Sequence, residues 1–168
     1  VAQAKVLVLV GLHLEYWADK VIDASGNKQM VVVVSSKGIS TIAGDAEGGG
    51  EGGVNPHVWL DPVNAVIMVQ NIRDGLIQAD PAGKAVYEAR AAAYIKQLQQ
   101  LDREVRQQVS HFREKKFIAF HPAWVYFARE YGLAQAAVVE TTPGKEPSPA
   151  EIARIVQTAK ALHAKAIF

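Results

Sequence analysis

"KVLVLVGL", residues 5–12, is a continuous apolar run rich in valine that ends with a glycine followed by a leucine. This pattern is typical of a parallel strand that is buried on both faces. The next segment, HLEYWADKVIDAS (13–25), has apolar residues at helical spacing, and QMVVVVSS (29–36) predicts a second strand. Because strand, helix and strand alternate, the sequence predicts an α/β fold with parallel sheets flanked by helices.

The composition is that of a globular protein, and it excludes several functions. Of the 168 residues, 49% are hydrophobic and 21% are charged, with a formal net charge of +1. Lysine and arginine form no basic cluster, so we expect no nucleic-acid partner. The apolar runs are too short to cross a bilayer. The absence of cysteine excludes disulfides, thiolate metal sites and cysteine nucleophiles.

The order of the elements predicts two lobes and one connecting helix. We expect residues 1–81 to form part of an N-terminal α/β lobe, with a flexible glycine-rich loop at 44–53. Residues 82–112 predict one long linking helix, for which a coiled-coil arm is the alternative. Residues 113–168 predict part of a C-terminal α/β lobe. Since both ends of the chain are strand-like, we expect an internal fragment with two incomplete lobes.

Two histidines stand in rigid, similar surroundings. His57 lies in NPHVWLDP (55–62), and His121 follows the apolar run FIAF before a proline and a tryptophan. In α/β proteins, ligands bind outside the carboxyl ends of the strands, and neutral imidazole is a common ligand for zinc, manganese and iron. The sequence therefore predicts metal ligands at both positions, with a capping or core histidine as the alternative. We interpret His13, His111 and His163 as structural or solvent-facing.

Ligating histidines usually donate their second ring N–H group to a nearby acceptor. Asn55 and Asp61 are close enough in sequence to be such acceptors for His57. The alternative for Asp61 is the N-cap of the helix that begins at Pro62. We expect Trp59 and Trp124 to pack in the lobes or to line a cleft.

Four motifs carry a specific resemblance. GLHLEYW (11–17), NPHVWLDPVNA (55–65), FIAFHPAWVYFAREYGL (117–133) and GKEPSPAEI (144–152) occur here in this order. In this respect the chain resembles the zinc- and manganese-binding solute-binding proteins of ABC importers, the ZnuA/TroA-like family of periplasmic metal-binding lipoproteins. The resemblance covers the whole chain.

The resemblance implies two lobes joined by one long helix, with a zinc or manganese ion in the cleft between them. It implies that His57 is a ligand from the N-terminal lobe and His121 a ligand from the C-terminal lobe. It places the first histidine ligand upstream of residue 1 and an acidic ligand beyond residue 168. It further implies a periplasmic or extracellular protein, soluble or membrane-anchored, that delivers its metal to a membrane permease and is not an enzyme.

Two other functions remain open from the sequence. A helix-mediated assembly or cell-adhesion module would use the long helix, and the truncated chain could form a swapped homodimer. A metallohydrolase would need a general base beside a metal-bound water, and neither HExxH nor a Ser/His/Asp set is visible in the sequence.

Overall fold

The computed structural model describes residues 1–44, 53–140, 146–164 and 167–168. The helices and strands of these ranges are β1 (Val6–Leu9), α1 (Ala18–Ser25), β2 (Val31–Val34), α2 (Pro62–Ala79), α3 (Lys84–Ser110), β3 (Lys116–Ala119), α4 (Val125–Tyr131), β4 (Ala134–Val138) and α5 (Pro149–Ala161). Short 3-10 turns at Val58–Leu60 and Pro81–Gly83 precede α2 and α3. Within the described ranges, no helix combines the length and the apolar character that a bilayer span requires.

The chain forms two compact units. The first consists of Val1–Ser40 and Pro62–Asp102, and the second consists of Thr41–Asp61 and Arg103–Phe168. Helix α3, which has 27 residues, is continuous across the boundary between Asp102 and Arg103. Each unit has its own parallel sheet and its own helices. This architecture confirms the predicted α/β class with two lobes and a long joining helix.

The segment that carries His57 belongs to the second unit. The predicted lobe boundaries at 81 and 112 stay a prediction, but Thr41–Asp61 packs with Arg103–Phe168 and not with the strands before it. His57 and His121 therefore lie in the same compact unit. The sequence could not indicate this arrangement, because His57 precedes α3 and His121 follows it.

In the first unit, β1 and β2 pair in parallel from Val6 with Val31 to Leu9 with Val34. The strand β1 ends in a tight loop in which Leu12 and His13 have positive φ angles of 56° and 62°. Glu15 holds this loop, because its carboxylate accepts hydrogen bonds from the backbone N–H groups of Val10 and Gly11 at 2.8 and 3.0 Å. The left-handed residues explain why α1 begins several residues after the start of the predicted helix.

In the second unit, β3 and β4 pair in parallel with an irregular register. Phe117 is opposite Gln135, but Ile118 is opposite Ala137, so β4 contains one extra residue at this point. Ile118 also pairs in parallel with Ile167, which agrees with the strand predicted at the end of the chain. The bulge moves every later residue of β4 by one position relative to β3.

Helix α5 begins with a capping box. The Ser148 hydroxyl accepts from the Glu151 backbone N–H group at 3.3 Å, and the Ser148 backbone N–H group donates to the Glu151 carboxylate at 2.7 Å. Pro149 occupies the first helical position. The residue types of SPAE (148–151) indicate this helix start from the sequence alone, because each contact of a capping box joins residues that are close in sequence.

A short antiparallel bridge between Ala43 and Val54 brings the two ends of the glycine-rich segment together. The Gly44 N–H group also donates to the Gly53 carbonyl at 2.6 Å. Residues 45–52, which include most of the loop predicted at 44–53, lie outside the described residues. The chain therefore enters the His57 segment from a defined, hydrogen-bonded position.

Candidate metal centre

The structure brings the two predicted histidines into direct contact. The Nε2 atoms of His57 and His121 lie 3.1 Å apart. The ring centroids are 5.0 Å apart, and the ring planes meet at 77°. The two rings thus meet edge to face with the same nitrogen atom of each directed at the other.

Asn55 fixes the ring of His57 and links it to the His121 segment. The Asn55 Nδ2 group donates to the Pro122 carbonyl at 2.7 Å. Because a carbonyl only accepts, this contact identifies the amide nitrogen and leaves Oδ1 directed at His57. Asn55 Oδ1 then accepts from the His57 backbone N–H group at 3.0 Å and lies 2.9 Å from His57 Nδ1. The proton of the neutral His57 ring is therefore on Nδ1, and its Nε2 atom carries a lone pair.

Tyr126 supports Asn55 from helix α4. Its side chain is completely buried, and its hydroxyl donates to the Asn55 carbonyl at 2.6 Å. The same hydroxyl accepts from the Ile42 backbone N–H group at 3.1 Å. The Tyr126 hydroxyl thus holds the backbone on both sides of the Ala43–Val54 bridge, at Ile42 and at Asn55. No motif in the sequence marks Tyr126 for this role, because the role depends on contacts between distant parts of the chain.

The surroundings of His57 favour the neutral ring. Burial, and after it the neighbouring His121 ring, lower the pKa of His57 from its ordinary value of 6.5. The Trp59 ring lies at a centroid distance of 5.2 Å from the His57 ring and shields one side of it. A neutral imidazole with a free Nε2 lone pair is the form that binds a metal ion.

Glu140, which was not predicted from the sequence as a site residue, faces the other ring nitrogen of His121. Glu140 Oε2 lies 3.3 Å from His121 Nδ1. Glu140 follows β4 and His121 follows β3, and these strands are parallel neighbours. The available signal was an acidic residue directly after the strand-like run AQAAVV (134–139), since the carboxyl ends of parallel strands meet at one edge of a sheet.

The structure also locates the other predicted residues. Asp61 is buried, and its backbone N–H group donates to the Val58 carbonyl at 3.3 Å. Both ring nitrogens of His57 have other neighbours, so the role of Asp61 as an acceptor for His57 stays a prediction. Within the described ranges, no group of three or more His, Cys, Asp or Glu residues is arranged to hold a metal ion. The described part of the centre is a pair of imidazoles.

The structure thus combines two sheet-containing units, a shared long helix and a pair of facing imidazoles. The family model described as "Zinc-uptake complex component A periplasmic" (ZnuA) matches residues 1–168. The chain therefore belongs to the ZnuA family, as its motifs indicated.

Two relatives are named for different metals, one for zinc and one for manganese. The chain is 33% identical over 177 residues to the high-affinity zinc uptake system protein ZnuA of Bacillus subtilis, covering 100% of the chain and 56% of the relative. It is 31% identical over 170 residues to the manganese-binding lipoprotein MntA of Halalkalibacterium halodurans, covering 100% of the chain and 55% of the relative. The chain thus spans little more than half the length of these two proteins.

The fold is similar to that of a solved structure. The AdcAII protein of Streptococcus pneumoniae superposes with a TM-score of 0.85 at 29% sequence identity, covering 100% of this chain and 62% of that structure. The similarity extends over both units and α3. It confirms the fold that the resemblance implied.

Proposed function

We propose that this chain captures a divalent transition metal, zinc or manganese, and that His57 and His121 bind the ion through their Nε2 atoms. The observation that carries this proposal is the 3.1 Å separation of the two Nε2 atoms. Two nitrogen ligands at roughly 2.0–2.1 Å from one tetrahedral zinc ion are about 3.3 Å apart. A small adjustment of either ring is therefore enough to admit the ion.

The hydrogen bonds of Asn55 support the same assignment. They keep the His57 proton on Nδ1 and direct the Nε2 lone pair at His121. A lone pair held in this direction has to meet a proton donor or a cation. A metal ion that is bound by both rings supplies that cation.

The chemistry is binding without turnover. Imidazole suits zinc well, whereas manganese prefers a larger share of oxygen ligands. A pair of histidines therefore favours zinc, and the other ligands of the intact protein decide how strongly manganese competes. Within the described ranges, the two imidazoles with water in the remaining positions form an incomplete site, which binds zinc more weakly than a four-ligand site does.

The family membership supports delivery of the metal to the membrane permease of an ABC importer. It likewise supports a location in the periplasm or at the outer cell surface, with the protein soluble or anchored. The activity is transport and not catalysis. The described part of the chain provides no feature that favours adhesion, a swapped homodimer or metallohydrolysis over this function.

Isothermal titration calorimetry with zinc and with manganese tests the proposal on the purified chain, on His57→Ala and on His121→Ala. Loss of a residue that is hydrogen-bonded to a metal ligand typically weakens metal binding by roughly 10- to 100-fold. Loss of either imidazole, which binds the metal directly, should weaken zinc binding by more than that. His111→Ala is the matched control, because it removes an exposed imidazole that is not part of the pair. Unchanged zinc affinity in both single variants would falsify the assignment.

A further inference from the structure

We propose that Glu140 is a positioning residue for His121: its carboxylate keeps the ring proton on Nδ1 and thereby frees Nε2 for the metal. This inference rests on the proposed function. Glu140 Oε2 lies 3.3 Å from His121 Nδ1, on the side of the ring opposite the His57 contact. Its carboxylate therefore acts behind the ligand, not as a ligand itself.

The bulge in β4 places Glu140 level with His121. The register after the bulge pairs Ala119 with Val138, and the Glu140 N–H group donates to the Phe120 carbonyl at 2.7 Å. Continued by two residues, this register brings Glu140 opposite His121. Without the extra residue, Val139 would occupy that position and the carboxylate would be displaced by one residue.

The chemistry of the contact selects one tautomer. An ionised carboxylate can only accept a hydrogen bond, so it favours the His121 ring that carries its proton on Nδ1. The Nε2 atom then has a lone pair, as His57 Nε2 does through Asn55. When a cation binds to Nε2, the Nδ1–H group becomes a stronger donor, and the carboxylate contact becomes stronger with it.

The two histidines are therefore supported differently. His57 is held by the neutral amide of Asn55, and His121 faces a negatively charged group. Each partner, by accepting the second ring proton of its histidine, raises the basicity of the nitrogen that faces the metal.

The test combines a metal-free and a metal-bound measurement on Glu140→Ala and Glu140→Gln. Nitrogen-15 NMR of the neutral histidine rings reports the tautomer without metal. We expect the Nδ1–H form of His121 in the wild type, a shift towards the Nε2–H form in Glu140→Ala, and retention of Nδ1–H in Glu140→Gln, whose amide oxygen can still accept. Zinc affinity should fall by about 10- to 100-fold in Glu140→Ala and by less in Glu140→Gln.

Glu146→Ala is the matched control, since Glu146 is an exposed glutamate in the same unit. An unchanged His121 tautomer in Glu140→Ala, or zinc binding as tight as in the wild type, overturns the inference and leaves the proposed function intact. If the wild type binds no zinc but the His121 tautomer still changes in Glu140→Ala, the role of Glu140 on the ring is supported. In that case it is the proposed metal capture that is overturned. Circular dichroism of each variant verifies that the fold is retained.

Discussion

Asn55 joins the two histidine segments, because its amide nitrogen donates to the Pro122 carbonyl at 2.7 Å while its amide oxygen lies 2.9 Å from His57 Nδ1. Pro122 directly follows His121 in sequence. A single buried side chain thus fixes the ring of one histidine and the backbone next to the other. This amide therefore helps to maintain the distance between the imidazoles.

Replacement of Asn55 by alanine should weaken both the fold and the metal site. It leaves buried polar groups at His57 and Pro122 without their partner, and each such group costs about 1–3 kcal/mol. We expect a lower free energy of unfolding in urea and a lower zinc affinity. Asn27→Ala is the control, because Asn27 also donates to a carbonyl, that of Ala4, but lies in the first unit. Equal zinc affinity in Asn55→Ala and Asn27→Ala would contradict the role of the amide.

The Tyr126 hydroxyl should contribute to stability out of proportion to its size. Tyr126→Phe keeps the ring but leaves the Asn55 carbonyl and the Ile42 N–H group without their buried partner. We expect the free energy of unfolding to fall by about 1–3 kcal/mol, measured by urea denaturation. Tyr94→Phe provides the comparison, since Tyr94 is 52% exposed on α3. Similar losses in the two variants would mean that the hydroxyl of Tyr126 is not a structural link.

The lowered pKa of His57 predicts a pH dependence of stability without metal. Because burial and the His121 ring lower this pKa below 6.5, the unfolded chain binds a proton at a higher pH than the folded chain does. The contribution of His57 to stability is therefore fully present above pH 6.5 and is lost as the pH falls through the lower, folded-state pKa.

Urea unfolding at pH 7.5, 6.5 and 5.5 measures this effect as the difference between the wild type and His57→Gln. The free energy of unfolding of the wild type should fall more steeply with acid than that of the variant. His111→Gln serves as the control and should follow the wild type. A steeper loss in His57→Gln than in the wild type would reverse the predicted sign.

The close contact between α2 and β2 predicts a packing effect confined to the first unit. A Cβ atom added to Gly75 would lie 2.1 Å from Val33 Cγ2. Overpacking of this kind costs about 1–3 kcal/mol, whereas alanine gains about 1 kcal/mol over glycine in a helix. We therefore expect Gly75→Ala to lower the free energy of unfolding and to leave zinc affinity unchanged.

A double-mutant cycle with Val33→Ala isolates that contact. If the clash is the cause, Gly75→Ala should cost less in the Val33→Ala background than in the wild type. Urea denaturation of the four proteins gives the coupling energy. Strictly additive effects would show that the two residues do not compete for the same space.

The sequence predicted the elements whose determinants are local. The valine-rich strands and the capping box of Ser148 and Glu151 needed only neighbouring residues. Asp80 and Pro81, in contrast, have the residue types typical of an N-cap and a first helical position. The Asp80 side chain instead accepts from the Tyr87 hydroxyl at 2.8 Å, and a 3-10 turn at Pro81–Gly83 delays the start of α3 to Lys84. The Tyr87 hydroxyl, about one turn into the helix, thus binds the Asp80 carboxylate in place of the backbone N–H groups that an N-cap would bind. A rule based on residue types at the helix start does not include this competition.

The two histidines could be predicted as candidate ligands from their proline-flanked motifs. The residues that hold them in place, Tyr126 and Glu140, could not be predicted from the sequence. Tyr126 acts through a contact between helix α4 and a segment about 70 residues earlier, at Asn55. Glu140 acts through the register of β3 and β4, which depends on a bulge. Long-range pairing of this kind is determined by the whole fold, so a pattern read along the chain does not reveal it.

Anomalous X-ray scattering at the zinc edge, from crystals of this chain soaked with zinc, measures the arrangement of the metal directly. We predict one peak at about 2.0–2.1 Å from the Nε2 atoms of both His57 and His121, which disappears in the His57→Ala protein. If the ion bound elsewhere, or contacted a single one of these nitrogens, the two side chains would not form one shared site.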